Sequence, residues 1–176
     1  MIYGKWQKVH GEGFTIYREP FTVYLSPFTE NKMSQNFLSD SQKADIVKAI
    51  QAAERNSSGE IRVHIEKICP TVNVLDRAAE VFIQLGMSNT AQLNGVLFYL
   101  STDDRKFAVL GDKGIDKVVP TDFWETTKTL LKIDFSQGFF AEGLVKGIHS
   151  AGEQLKHFFP YQSDDVNELP DDISFG

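Results

Sequence analysis

From Met33 onward the apolar positions of the chain alternate between two spacings, and each change of spacing marks an element. In "SDSQKADIVKAIQAAERNSSGE", Ile46, Val47, Ile50 and Ala53 recur at helical intervals. Ser39 followed by Gln42 forms a capping box that starts this helix, and "NSSG" stops it. "EIRVHIEKI" then switches to a period of two, with Ile61, Val63 and Ile65 on one face and Arg62 and His64 on the other. That polar second face predicts an edge strand or one covered incompletely. "NVLDRAAEVFIQLGM" returns to helical spacing, with Asn73 as cap, Leu75, Ala78, Ala79, Phe82 and Ile83 inward, and Gly86 as the stop.

"GVLFYLS" is apolar on both faces, as a central strand should be, and "TDDR" turns it back into "KFAVLGD". Two helical stretches follow. "PTDFWETTKTLLKI" is capped by Thr121 or Asp122 and turns Phe123, Trp124, Leu130 and Leu131 inward. "FSQGFFAEGLVKGIHSAGEQLKHFF" carries Phe140, Leu144, Ile148 and Leu155 at helical spacing, and its glycines suit close packing. This order predicts an α/β fold, a three-layer α/β/α sandwich around a small mixed sheet. Strands 60–67 and 95–101 should run parallel through a right-handed crossover, and 106–112 antiparallel through the hairpin.

The ends differ from this middle. Residues 1–32 include "GFTIYREPFTVYLSPF", alternating but broken by Pro20 and Pro27, which reads as one or two edge strands. This segment is either a β-hairpin arm or an upstream extension before a start at Met33. Residues 33–160 form the domain, and 161–176 a tail with five acids between Asp164 and Asp172. The tail is either solvated or docked through Leu169 and Phe175.

Charge and composition narrow the chemistry. A net charge of −6 argues against broad nucleic-acid binding, which relies on Lys and Arg. The single cysteine, Cys69, excludes an intrachain disulfide and a Cys-rich zinc site. No apolar run is long enough to span a bilayer, and residues 1–20 lack a signal-peptide pattern. A cytoplasmic monomer without a membrane segment is the expectation.

The predicted topology collects acids at two poles of the sheet. One pole gathers Glu60, Asn94, Asp112 and Asp116, hard oxygen donors suited to a divalent cation, with calcium first and magnesium or zinc as alternatives. In "GDKGID", Gly111 and Gly114 are expected to free backbone carbonyls for the ion. The other pole holds Asp103, Asp104 and Arg105, a sound hairpin turn that could also receive an anionic substrate. The tail adds Glu168, Asp171 and Asp172 as further candidate metal ligands.

The series "SGEIRVHIE", "LGM", "NGVLFYLSTDDRKFAVLGDKGID", "FW" and "FFAEGLVKGIHSAGEQLKHFFP" resembles the TPM-domain family, named after thylakoid-lumen, photosystem II repair and acetylcholine-receptor-modulating members. The resemblance covers about residues 37–160, and "NELPDDISFG" resembles the endings of bacterial stand-alone members. It implies an α/β/α sandwich, divalent-metal binding through loop carboxylates and an acid-phosphatase activity disputed in plant members. Carried across, the family's motifs fall on Asn94 and Gly95, on Asp103, Asp104 and Arg105, and on Gly111, Asp112 and Gly114. Many exported members have Tyr at the position of Asp112, a departure that weakens a carried-over phosphatase mechanism and adds a metal donor.

Two functions follow as expectations. One is a metal-binding module whose ion orders a surface for a protein partner. The other is a metal-assisted phosphatase using Asp103, Asp104 and Arg105.

Overall fold

The computed structural model describes residues 37–176 in full, together with the backbone of two short strands nearer the N-terminus, β1 (Gln7–His10) and β2 (Phe14–Arg18). The remaining elements are α1 (Asp40–Glu54), β3 (Ile61–Glu66), α2 (Val74–Gln84), β4 (Val96–Ser101), β5 (Lys106–Asp112), α3 (Lys113–Asp116), α4 (Phe123–Ser136), α5 (Phe140–Phe158) and β6 (Ser174–Phe175). The sheet order is β1-β2-β5-β4-β3-β6. β3 and β4 are parallel, β4 and β5 antiparallel, as the crossover and hairpin require.

Strand alternation sorts the core into two layers. Ile61, Val63, Ile65, Val96, Phe98 and Leu100 face α1, α4 and α5. Leu97, Tyr99, Ala108 and Leu110 face α2 on the opposite side. The three-layer sandwich is therefore present, with three long helices on one face and one on the other.

Helix ends follow their local chemistry. Ser39 accepts from the Gln42 amide while the Gln42 side chain receives the Ser39 amide, closing the capping box of α1. Asn73 accepts from the Leu75 amide to start α2, and Gly86 leaves it with φ of 72°, a left-handed conformation open to glycine. Asp122 stands at the start of α4 but its side chain makes no capping bond. α5 crosses both neighbours at close range: a Cβ on Gly152 would sit 2.7 Å from the Ala53 Cβ of α1.

Two expectations are corrected. Ile83 is 54% exposed, because Val81 and Phe82 fill the space between α2 and the sheet. Leu130 is only partly buried, with Leu131 taking the inward position on α4. Nearer the N-terminus β1 and β2 pair antiparallel, and β2 adds to β5, pairing Phe14 with Asp112 and Thr15 with Gly111. The rest of the stretch expected as strand, residues 21–28, lies outside the described residues.

The tail is docked. Ile173, 8% exposed, joins the larger core layer and Leu169 packs on the smaller one. Phe175, expected as an anchor, is 59% exposed. Ser174 and Phe175 pair in parallel with His64 and Ile65 as β6.

Candidate functional site

The polar face of β3 is buried rather than open. Glu60, Arg62, His64 and Glu66 are each below a tenth exposed, and the docked tail meets them in order. The Glu60 carboxylate accepts from the Glu168 amide at 2.9 Å and the Leu169 amide at 3.2 Å. Arg62 donates to the Pro170 carbonyl and to the Asp172 carboxylate at 3.0 Å. His64 Nδ1 lies 2.8 Å from Ser174 Oγ, and the Gly176 amide donates to the Ile65 carbonyl at 3.1 Å.

Glu66 anchors the other end of this row. It accepts from Tyr99 at 2.9 Å, from His64 Nε2 at 3.1 Å and from the Arg77 guanidinium of α2. Burial opposes its ionisation, but the Arg77, Tyr99 and His64 hydrogen bonds outweigh that and hold its pKa below the usual carboxylate value. Burial pushes His64 the other way, lowering its pKa, helped by the Arg77 and Arg62 charges and opposed by Glu66.

Beside Glu60 the tail encloses an acidic cleft of about 480 Å³. Its oxygen donors come from α1 and the start of β3 on one wall, Glu54 and Glu60, and from the tail on the other, Asp165, Asn167 and Asp171. Local structure puts them there. Ser57 turns the chain out of α1 by donating to the Ala53 carbonyl at 3.1 Å, and the Ser58 amide ties that turn to the Phe159 carbonyl at 2.9 Å. Glu54, the last residue of α1, reaches back over the turn so that one oxygen accepts from the Ile61 amide at 2.9 Å. Its other oxygen is closed off from solvent, and the Asp171 carboxyl comes within side-chain hydrogen-bonding range of Glu54.

The electrostatics of the cleft match its composition. Burial raises Glu54 to about 9, and the charges of Glu60 and Asp171 add to the rise, against the Ile61 hydrogen bond. Burial also raises Glu60, opposed by the Glu168 and Leu169 amides and reinforced by the charges of Glu168 and Asp165. Among the described residues, no Lys or Arg other than Arg55 lines this cleft. The acids line an open space rather than a finished cage: among the described residues, no three Asp, Glu, His or Cys side chains are close enough to hold an ion as they stand.

The predicted site residues therefore separate. Glu60 and Asp171 meet in the cleft. Glu168 sits at its border, with its carboxylate accepting from the Ala91 amide at 3.1 Å, and Asp172 is turned to Arg62. Asn94 is fully buried and donates to the Ser58 carbonyl at 2.9 Å. Asp112, also fully buried, caps α3 by accepting from the Lys113 amide at 2.6 Å, and burial raises its pKa against that bond. Asp116 lies in that short helix. Gly111 and Gly114 serve close approach rather than carbonyl freedom: a Cβ would strike Trp124 at the first and the Gln92 and Leu93 carbonyls at the second. Asp165 reads in the sequence only as one of the tail acids, and Glu54 and Asn167 were missed, since nothing in their local pattern pairs a helix end with a tail.

At the opposite pole Asp104 braces structure. It accepts from the Cys69 amide at 2.6 Å and from Ser101 at 3.3 Å, tying the hairpin to the loop after β3. Arg105 takes a left-handed φ of 55° in the turn, and the cavity beside it holds only about 10 Å³. Asp103 lies 3.9 Å from Lys67.

A TPM-domain family model matches residues 32–154. The chain belongs to the TPM-domain family. Solved structures agree with that membership. The NMR structure of the BA42 protein from the psychrophilic bacterium Bizionia argentinensis is 48% identical, with a TM-score of 0.76 over 81% of this chain and 98% of that one. Two more distant structures share the fold: one is the N-terminal domain of a protein from P. gingivalis at 22% identity and TM-score 0.60, over 72% of this chain and 84% of that one. The other is the N-terminal domain of cg2496 from Corynebacterium glutamicum, at 16% and 0.56, over 77% and 88%. No curated protein matches the chain. No described helix of this TPM domain is long and apolar enough to cross a membrane.

Proposed function

We propose that this TPM-domain protein is a divalent-cation-binding module, with calcium as the first candidate, and that the ion modulates a binding or regulatory surface. The observation that carries the reading is the acidic cleft, where Glu54 and Glu60 line one wall and the Asp171 carboxyl meets Glu54 from the other. Carboxylate and amide oxygens on a loop-rich wall are the hard, adaptable donors that calcium takes in sets of six to eight. Glu54 and Glu60 would hold the ion from the body of the domain, with Asp165, Asn167 and Asp171 from the tail. The bound ion supplies positive charge where burial and mutual repulsion now hold Glu54 above the ordinary carboxylate range.

The phosphatase reading has less support. The Asp104 carboxylate is occupied by Cys69 and Ser101, and the cavity at Arg105 is far smaller than a phosphate ester. Isothermal titration of the full chain with calcium, magnesium and zinc tests the proposal. Binding of calcium that weakens at least tenfold in Glu54→Gln and in Asp171→Asn is expected. Absence of binding by all three ions, or binding indifferent to both variants, overturns it.

A further inference from the structure

A hydroxyl, an imidazole and a carboxylate stand in line where the tail meets β3. The parallel register sets Ser174 of β6 beside His64 of β3, and the pleat puts Glu66 on the same face of β3 as His64. Ser174 Oγ lies 2.8 Å from His64 Nδ1, and His64 Nε2 lies 3.1 Å from Glu66 Oε1. His64 and Glu66 are 6% and 4% exposed, while Ser174 is partly open to solvent. The acidic cleft uses none of the three.

Hydrogen-bond logic places the protons. An ionised Glu66 can only accept, so His64 Nε2 carries the hydrogen between them. In the neutral ring Nδ1 is then a bare acceptor, and the Ser174 hydroxyl donates to it. The rival acceptor for that hydroxyl, the Val63 carbonyl, is farther away at 3.3 Å. Burial, with the Arg77 and Arg62 charges, favours the neutral ring against the pull of Glu66. Burial opposes the Glu66 charge, but the bonds from Arg77, Tyr99 and His64 outweigh it. Tyr99 also stacks on the His64 ring, with centroids 6.0 Å apart.

Three backbone and side-chain features around the serine suit acyl transfer. Successive amides along a strand paired on one side alternate between the partner and the open edge. The Gly176 amide bonds the Ile65 carbonyl at 3.1 Å, so the Phe175 amide, next to Ser174, points to the open edge of the sheet. A donor there can meet the oxyanion that forms when the serine attacks a carbonyl. Gly176 closes over the inner pair, since a Cβ there would lie 3.1 Å from His64 Nε2 and 2.8 Å from Glu66 Cγ. Phe175, 59% exposed, adds an apolar surface beside the serine.

We infer that Ser174, His64 and Glu66 form a triad that hydrolyses short carboxylic esters, with Ser174 and His64 catalytic and Glu66 positioning. An open sheet edge in place of a deep cleft fits a short acyl group. Ser174 Oγ attacks the carbonyl carbon and its proton passes to His64 Nδ1, while Glu66 stabilises the imidazolium. The bond to the alcohol then breaks, and the departing alcohol takes the proton. Water, deprotonated by His64, attacks the acyl-serine, releases the carboxylic acid and restores the hydroxyl.

Labelling of the full chain with a fluorophosphonate, from which the serine oxygen displaces fluoride, tests this, with adducts located by mass spectrometry. An adduct on Ser174 is expected, absent in Ser174→Ala and formed about a hundredfold more slowly in His64→Gln, as for loss of a general base. Hydrolysis of p-nitrophenyl acetate should follow the same order. In Glu66→Gln the pH of half-maximal labelling should move down, because the carboxylate that favours the imidazolium is gone. NMR of the imidazole nitrogens in the parent should find the His64 hydrogen on Nε2. No adduct on Ser174, ester turnover that survives Ser174→Ala, or labelling indifferent to His64→Gln overturns the triad. So does a His64 hydrogen on Nδ1, which is read without any variant. An unmoved pH profile in Glu66→Gln removes Glu66 from it.

Discussion

Arg62 on β3 holds Asp172 of the tail at 3.0 Å across 110 residues of sequence, and the same guanidinium nitrogen donates to the Pro170 carbonyl. The Arg62 side chain is 6% exposed and Asp172 74%, so the ion pair itself is well screened. The larger contribution is the buried guanidinium finding a carbonyl partner, without which it would be an uncompensated charge inside the fold.

Replacing Arg62 with Met keeps the stem and removes the donors. The expected outcome is a loss of about 1.5–3 kcal/mol in urea unfolding, the range for hydrogen bonds to a charged group. Limited proteolysis should cut the tail well before the domain. An unaltered cleavage rate would show that Ile173 alone keeps the tail in place.

The contribution of His64 to stability should fall on mild acidification. Its folded pKa lies below the ordinary 6.5, so the unfolded chain takes up the proton first. The contribution is fully present above about 6.5 and is lost as pH falls toward the folded value. Glu66, also depressed from 4.5, extends the loss at lower pH in the same direction. Because raised carboxylates such as Glu54 act in the opposite sense over this range, the His64 part is read as a difference: from pH 8 to pH 5 the urea midpoint of the parent should fall relative to that of His64→Gln. Identical profiles for both proteins would assign the titration to another group.

Asp112 separates a capping role from a metal role. Its raised pKa means that ionisation opposes folding, so its unfavourable effect grows as pH rises above the ordinary 3.8. Asp112→Asn retains an acceptor for the Lys113 amide and removes the buried charge. Equal or greater stability at pH 7 is expected, with calcium affinity unchanged. A clear fall in affinity would move the cation from the cleft to the end of β5.

Gly152 lets α5 lie against α1. Ala at this position would place its Cβ 2.7 Å from that of Ala53, with the Ala53 Cα at 3.4 Å, so relief requires the helices to part. Overpacking of this type costs about 1–3 kcal/mol, measured as a lower thermal or urea midpoint. A neutral result would mean that α1 can shift at little cost.

Much of the architecture was legible because it is written in short-range pattern. The capping box at Ser39, the Asn73 cap, the parallel β3–β4 pair and the β4–β5 hairpin each depend on a few adjacent residues. The site was legible only in part. Glu60 and Asp171 were recognisable as hard donors, yet Asp112, equally acidic, is a buried cap. Residue type states what a carboxylate can do, while burial and the nearest amide decide what it does. Glu54 carried no sign at all, because it reads as an ordinary charge at the end of an amphipathic helix.

The sequence by itself determined the order and type of the elements from residue 37 to residue 160 and the sandwich they build, since hydrophobic period and caps are local properties. It also determined that the tail carries a concentrated negative charge. Only the tertiary structure decided that this tail lies along β3, with Ile173 inward and Phe175 outward, and that Asp171 thereby faces Glu54. The physical reason is that docking a segment without regular structure depends on contacts between residues far apart in the chain. Those contacts exist only once the sheet has placed Glu60, Arg62 and His64 on one edge.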